Sequence, residues 1–235
     1  MKTPKIVEVI YFTDILCIWA YLAQIRIDEL KIQFGSSIDL QNHFIPVFGS
    51  VESKIEQNWN HKGGVSAYSE HVKNIALKFS HIEVHPEIWV RNTPTTSASC
   101  HLFLKAIQIL EAHGGLPCIS EPNNCGKSVF EATVWELRLA FFKDLIDISN
   151  IDVQLEIAER LELPVHKIEA TIKSGAAFAA IDNDLQLKEK YGVAGSPTLI
   201  LNEGRQVIYG NVGYRVIEAN VQELINQPEN QASWC

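Results

Sequence analysis

The sequence has no basic run longer than two residues, no apolar stretch near the ~20 residues of a membrane span, no internal repeat and no low-complexity tract. Nucleic acids and anionic membranes reward clustered Lys and Arg. A chain with a net charge of -8 offers them little, so neither is expected as a partner. The opening residues Met1-Lys2-Thr3-Pro4-Lys5 lead straight into a charged, alternating segment, without the apolar stretch and cleavage site of a secretory signal. A cytoplasmic protein is therefore expected. Paired cysteines are scarce as well: of five, only Cys118 and Cys125 lie close together, and no Cys-x-x-Cys occurs. In a reducing compartment such cysteines are expected as thiols rather than as a disulfide framework.

What the chain does contain is ordinary globular patterning in a distinctive order. Residues 5–12 form a β-branched apolar run that predicts a strand, and apolar positions Tyr21, Leu22, Ile25, Leu30 and Ile32 predict a helix over about 18–32. Residues 38–45 alternate with period two and predict a second strand. Strand, helix, strand suggests a βαβ unit with a right-handed crossover. From Val51 to Glu87 the chain turns polar, with a loop expected at 58–64 and a helix over about 65–80. Thr93 and Pro94 suggest the start of a helix running through Leu110, and further helices are expected at 127–146, 151–162, 165–173 and 177–191. Two short strands, 197–201 and 206–210, flank Asn202-Glu203-Gly204-Arg205 as a hairpin, and a helix over about 215–226 follows. Neither end can bury a sheet alone. One domain is thus expected from residues 1–50 plus 192–228, interrupted by a helical insertion at 51–191.

Cys17 stands where the first strand delivers the chain to a helix N-terminus. Unpaired N–H groups and the positive end of the helix dipole favour thiolate there, so Cys17 is expected to have a lowered pKa and to be the reactive atom. His81 and His85 are four apart, but Pro86 and the β-branched residues beside them argue against one helix face, and no metal site is expected. Cys118 and Cys125, in a Pro- and Gly-rich loop, are open to three readings: free thiols, a regulatory or resolving disulfide, or half a metal site. Cys100 reads as core and Cys235 as an exposed terminal thiol.

Two motifs carry a family resemblance. They are Asp14-x-x-Cys17-x-Trp19-x-Tyr21-Leu22 and Tyr191-Gly192-Val193-Ala194-Gly195-Ser196-Pro197-Thr198. In this order, with helices between them, the chain resembles the DsbA-type branch of the thioredoxin fold. That branch includes DsbA proper, FrnE-like oxidoreductases, kappa-class glutathione transferases and 2-hydroxychromene-2-carboxylate isomerases. The resemblance implies an α/β fold with a large helical insertion and a cis Ser196–Pro197 bond facing Cys17. It also implies a groove in which Ile18, Trp19, Ser196 and Pro197 bind substrate, the Ser196 backbone pairing with a peptide or with glutathione. Asp14 and Tyr21 are weaker site candidates, as are Asn211 and Arg215, which follow the last strand where kappa-type enzymes hold the γ-glutamyl end of glutathione.

The departures define the chemistry. FrnE-like members carry Cys-Pro-Trp-Cys, whereas here the second position is Ile18 and the fourth is Ala20; kappa-class enzymes and the isomerases carry Ser in place of Cys17. Without a second Cys, resolution of a mixed disulfide must come from outside. The leading expectation is monothiol exchange through Cys17 on a small thiol or a protein disulfide, with glutathione or another thiol as co-substrate and no metal. A glutathione-dependent transferase or isomerase acting on a small electrophile is the second reading, and a non-catalytic peptide-binding groove the third. A monomer or a homodimer fits all three.

Overall fold

A computed structural model of the chain describes residues 6–116 and 127–226. Its framework is a four-stranded sheet in the order β2-β1-β3-β4. β1 (Val7–Thr13) pairs in parallel with β2 (Ile38–Phe44) and antiparallel with β3 (Thr198–Leu201), which pairs antiparallel with β4 (Gln206–Tyr209). The ends of the chain thus meet in one sheet: Phe12 lies opposite both His43 and Thr198. Only Glu8 of β1 is exposed, as fits a central strand covered on both faces. Its alternation divides the core: Val7, Val9 and Tyr11 pack with α1 (Ile18–Phe34) and α9 (Tyr214–Asn226), while Ile10 and Phe12 face Ile45, Val193 and Ile200.

Among the described residues, seven α-helices run between β2 and β3: α2 (Val51–Trp59), α3 (Gly64–Ala76), α4 (Ala98–Ala112), α5 (Val129–Phe142), α6 (Ile151–Arg160), α7 (Val165–Lys173) and α8 (Ala176–Lys190). They do not form a separate core. One apolar cluster joins Ile15, Leu16, Tyr21 and Leu22 of the first βα unit to Phe103, Leu137, Phe141 and Ile157 of these helices. A buried ionic triad adds a second tie. Asp184 of α8 accepts from the Phe44 backbone N–H at 2.7 Å, sits 2.6 Å from His43 Nδ1 and pairs with Lys105 Nζ of α4 at 2.8 Å. Burial alone would pull Lys105 down, and Asp184 opposes that pull.

Several element boundaries differ from the sequence expectation for identifiable reasons. Residues 51–59 form a helix where polar chain was expected, because the Ser50 side chain accepts from Ser53 N and Val51 and Ile55 are buried one turn apart. The helix expected from Thr93 starts only at Ala98. Thr93 Oγ1 donates back to the Trp89 carbonyl, and Ser97, rather than capping, turns its hydroxyl to Asp14. The α5 helix ends at Phe142, with Leu145 in the left-handed region at φ 57. The hairpin is confirmed, and Gly204 adopts φ +93 in its turn, with the Tyr191 ring so close that no Cβ would fit.

Candidate active site

The site grows out of the tight turn between β1 and α1. Cys17 N donates to the Asp14 carbonyl at 3.1 Å, and the Cys17 carbonyl accepts the first helical N–H groups, those of Ala20 and Tyr21. Cys17 is therefore the N-cap residue of α1, as its place in the sequence implies. Across from it the Ser196–Pro197 peptide bond is cis, and Cys17 Sγ donates to the Ser196 carbonyl at 3.2 Å. Ser196 Oγ accepts from Asp14 N at 2.9 Å, so the two motifs, 182 residues apart, lock together by main chain and side chain.

The thiol itself does not behave as its position suggested. The expected donors are present, since the N–H groups of Ala20 and Trp19 both favour thiolate. Yet Cys17 is only 6% exposed, and burial, joined by the charge of Asp14, outweighs them and pushes the thiol up. The lowered pKa expected from the helix N-terminus is corrected: in this closed arrangement desolvation decides.

Beneath Cys17 lies a buried polar cluster. Asp14 accepts from Leu16 N at 2.8 Å on one oxygen, and from Phe48 N at 2.9 Å and Ser97 Oγ at 2.8 Å on the other. Burial nonetheless pushes its carboxyl up to about 6 against these donors. His101 Nε2 accepts from Ile15 N at 3.2 Å, which requires that nitrogen to be unprotonated. Burial and the charges of Lys105 and Arg138 hold His101 down near 3, so its 3.8 Å approach to Asp14 is a contact between a carboxyl group and a neutral ring. Nearby, Arg138 of α5 is fully buried; it donates to Gln24 Oε1 and Thr13 Oγ1 and forms no ion pair among the described residues. Ser97, His101 and Arg138 were not singled out in the sequence. They lie 83 to 125 residues from their partners, and nothing local marks them.

The other candidate residues are divided by the fold. Trp19 is 37% exposed beside Cys17 and is available as a groove wall. Ile18 is 3% exposed, so its side chain belongs to the core rather than to a substrate surface, which corrects its assignment. Tyr21 is likewise turned away: its ring stacks on Phe142 at 4.8 Å and its hydroxyl donates to the Glu83 carbonyl at 3.3 Å. Asn211 accepts from Arg26 at 2.6 Å, and its neighbours Gly210 and Val212 line a small, shallow cleft together with Arg26, Pro197 and Thr198. Arg215 is exposed at the start of α9. Cys118, Cys125 and Cys235 lie outside the described residues. Cys100 is fully buried and pushed well up by desolvation, in keeping with a core position. Among the described residues, no group of three or more His, Cys, Asp and Glu side chains is arranged to hold a metal ion, and no helix is long and apolar enough to cross a membrane.

A cysteine on a helix N-terminus, facing a cis-proline across the ends of two adjacent central strands, defines a thioredoxin-fold arrangement. The model of the DsbA-like thioredoxin domain matches residues 8–222, and the chain belongs to that family. Among solved structures it is similar to a probable DsbA oxidoreductase from Streptomyces coelicolor (TM-score 0.68, 13% identity, 97% of this chain and 94% of that one). It is similar also to the cytosolic disulfide reductase DsbM from Pseudomonas aeruginosa (0.62, 19%, 92% and 99%) and to a 2-hydroxychromene-2-carboxylate isomerase (0.62, 16%, 96% and 100%). No curated protein matches. The α/β fold with its helical segment between β2 and β3 is thus the DsbA-like one expected from the two motifs.

Proposed function

We propose that this protein carries out thiol-disulfide exchange by a monothiol route through Cys17, with glutathione or another small thiol as co-substrate. The observation that carries the reading is the pairing of Cys17 Sγ with the Ser196 carbonyl at 3.2 Å, with Ala20 at the position where a resolving thiol would stand. The Cys17 thiolate attacks a disulfide R–S–S–R; one R–S⁻ leaves and Cys17 keeps the other as a mixed disulfide. An external thiolate then attacks that bond, forms the new disulfide and returns Cys17 as thiolate. The similarity to a disulfide reductase also solved with glutathione supports the co-substrate, and the cytosolic character of that protein fits a reducing compartment for this one. In this reading residues 51–191 are an insertion that shields the thiol, Trp19 and the Ser196–Pro197 backbone form the groove, and the chain acts as a monomer or homodimer.

Burial of the thiol supports a second reading. A Cys17 that stays protonated can hold the sulfur of glutathione by hydrogen bonding, as a transferase or isomerase would require, with Asn211 and Arg215 at the γ-glutamyl end. Turnover of glutathione with a small disulfide, measured for wild type and Cys17→Ala, separates the two. Loss of turnover in Cys17→Ala together with a glutathione adduct on Cys17 is expected. Full activity in Cys17→Ala would refute thiol exchange, and protection of Cys17 by glutathione with no adduct would favour the second reading.

A further inference from the structure

Tyr209 is a large aromatic residue left mostly in solvent, 60% exposed on β4, the outermost strand in the order β2-β1-β3-β4. Its neighbour Ile208 packs toward α1 and α9, so by strand alternation Tyr209 points to the other side of the sheet. It lies opposite Thr198, the first residue of β3, and the adjoining Gly210 N donates to the Pro197 carbonyl at 2.9 Å. The end of β4 is thereby fastened to the cis-proline segment. The phenol reaches further along that segment. A Cβ added at Gly195 would meet the Tyr209 hydroxyl at 3.0 Å and its ring at 3.2 Å, tighter than ordinary packing. Gly195 does not adopt positive φ, so this close approach, not backbone freedom, calls for glycine here. The Gly195 carbonyl is held in turn by the Thr198 hydroxyl, which donates to it at 2.6 Å.

The next residue, Ser196, presents its carbonyl to Cys17 Sγ at 3.2 Å. Tyr209 and Cys17 thus contact consecutive residues of one short segment. A peptide joined to Cys17 through its own cysteine and extended along the Ser196 backbone carries one arm past Gly195, and at about 3.3 Å per residue that arm meets the phenol within a residue or two. The surroundings set what that arm can be. Residues 191–202 and 206–214 include no charged side chain. Glu203 and Arg205 lie in the hairpin turn at the far end of β4, 3.3 Å from each other, and Arg26, bonded to Asn211, belongs to α1 on the opposite face of the sheet. An exposed phenol in such a setting offers a flat, rigid contact to an apolar side chain at small entropic cost, and no ion pair to the carboxylates of glutathione.

We propose that Tyr209 is a specificity-determining residue of thiol exchange, its ring receiving an aromatic or aliphatic side chain that lies beside the disulfide cysteine of a peptide or protein substrate. The proposal rests on the thiol-exchange reading above. Among the substrates of that reading it selects a protein disulfide flanked by apolar residues over the disulfide of glutathione.

The test uses acetylated, amidated pentapeptides Gly-Xaa-Cys-Xaa-Gly, with Xaa either Phe or Gly, each carrying thionitrobenzoate on its cysteine, and the same mixed disulfide of glutathione. The Cys17 thiolate attacks the peptide sulfur and forms the new S–S bond, while thionitrobenzoate departs as a coloured thiolate with the electron pair of the old one. Second-order rate constants for this release are compared for reduced wild type, Tyr209→Ser and Val207→Ser, with mass spectrometry locating the adduct on Cys17. An aromatic contact corresponds to about a 2- to 10-fold change in rate. The Phe-to-Gly rate ratio should fall by about that factor in Tyr209→Ser, and the Phe-to-glutathione ratio should fall with it. Val207 is exposed on the same face two residues away, and Val207→Ser should keep the wild-type ratios. An unchanged ratio in Tyr209→Ser, an equal slowing with all three compounds, or an equal fall in Val207→Ser overturns the assignment while leaving monothiol exchange intact. A wild type that forms no adduct at Cys17 overturns both.

Discussion

Replacing Asp14 with Asn is the most discriminating perturbation of the buried cluster beneath Cys17, because the structure assigns the carboxyl two opposing effects. Asp14 is fully buried and titrates at about 6 rather than 3.8. A folded value above the unfolded one means that the protonated form favours folding. That contribution is complete below pH 3.8 and is lost as pH rises through about 6. The loss amounts to about 3 kcal/mol above both values, and to about 2.5 kcal/mol between pH 4 and pH 7.5. Asn carries no charge and lacks this penalty. It has one acceptor oxygen, however, whereas Asp14 serves the N–H groups of Leu16 and Phe48 on different oxygens, so one of these donors loses its partner at a cost of about 1–3 kcal/mol.

The two effects predict a crossing. Asp14→Asn should be less stable than wild type at pH 4, by about the cost of that donor, and about as stable or more stable at pH 7.5. His101 acts in the opposite sense: its folded value near 3 lies below its ordinary 6.5, so its contribution is complete above 6.5 and fades as pH falls. Wild-type stability alone therefore mixes the two groups, and the difference between wild type and Asp14→Asn isolates the carboxyl. Urea unfolding followed by tryptophan fluorescence at pH 4, 5, 6 and 7.5 measures it. Curves that stay parallel across this range would refute the claim that burial raises the Asp14 carboxyl to about 6.

Two further predictions rest on the same framework. Ala20 occupies the place of a resolving thiol and is fully buried. Pre-reduced Ala20→Cys should reduce about one equivalent of a protein disulfide such as insulin without added glutathione, its own two thiols closing to a disulfide as insulin is released, at a packing cost of about 1–3 kcal/mol; a variant that still stops at a mixed disulfide until glutathione is added counts against the monothiol account. Lys105 neutralises Asp184 inside the tie between α4, α8 and β2. Lys105→Met should destabilise the fold by about 3–5 kcal/mol and lower the melting temperature by roughly 10 °C, and a change within about 2 °C in a thermal melt shows that the triad is not needed.

The amino-acid order by itself determined the framework and the position of the Cys17 thiol within it. The β-branched run before Cys17, the apolar periodicity after it, and the Gly195-Ser196-Pro197-Thr198 segment specify a strand-to-helix junction and an opposing strand, because period-two and period-3.6 burial are local properties of the chain. They did not separate Trp19, which is partly exposed, from Ile18 and Tyr21, which are buried, since adjacent positions on a short helix segment diverge once a second layer covers one side. Only the tertiary structure decided the electrostatics. The helix N-terminus argued for an acidic thiol, whereas Cys17 is buried in one apolar cluster with residues of the helices between β2 and β3, and desolvation exceeded the local donors. His101 and Ser97 could not be read from the chain for the same reason. Their significance lies in what they touch from 83 and 86 residues away, and burial, unlike periodicity, is not a property any stretch of sequence possesses on its own.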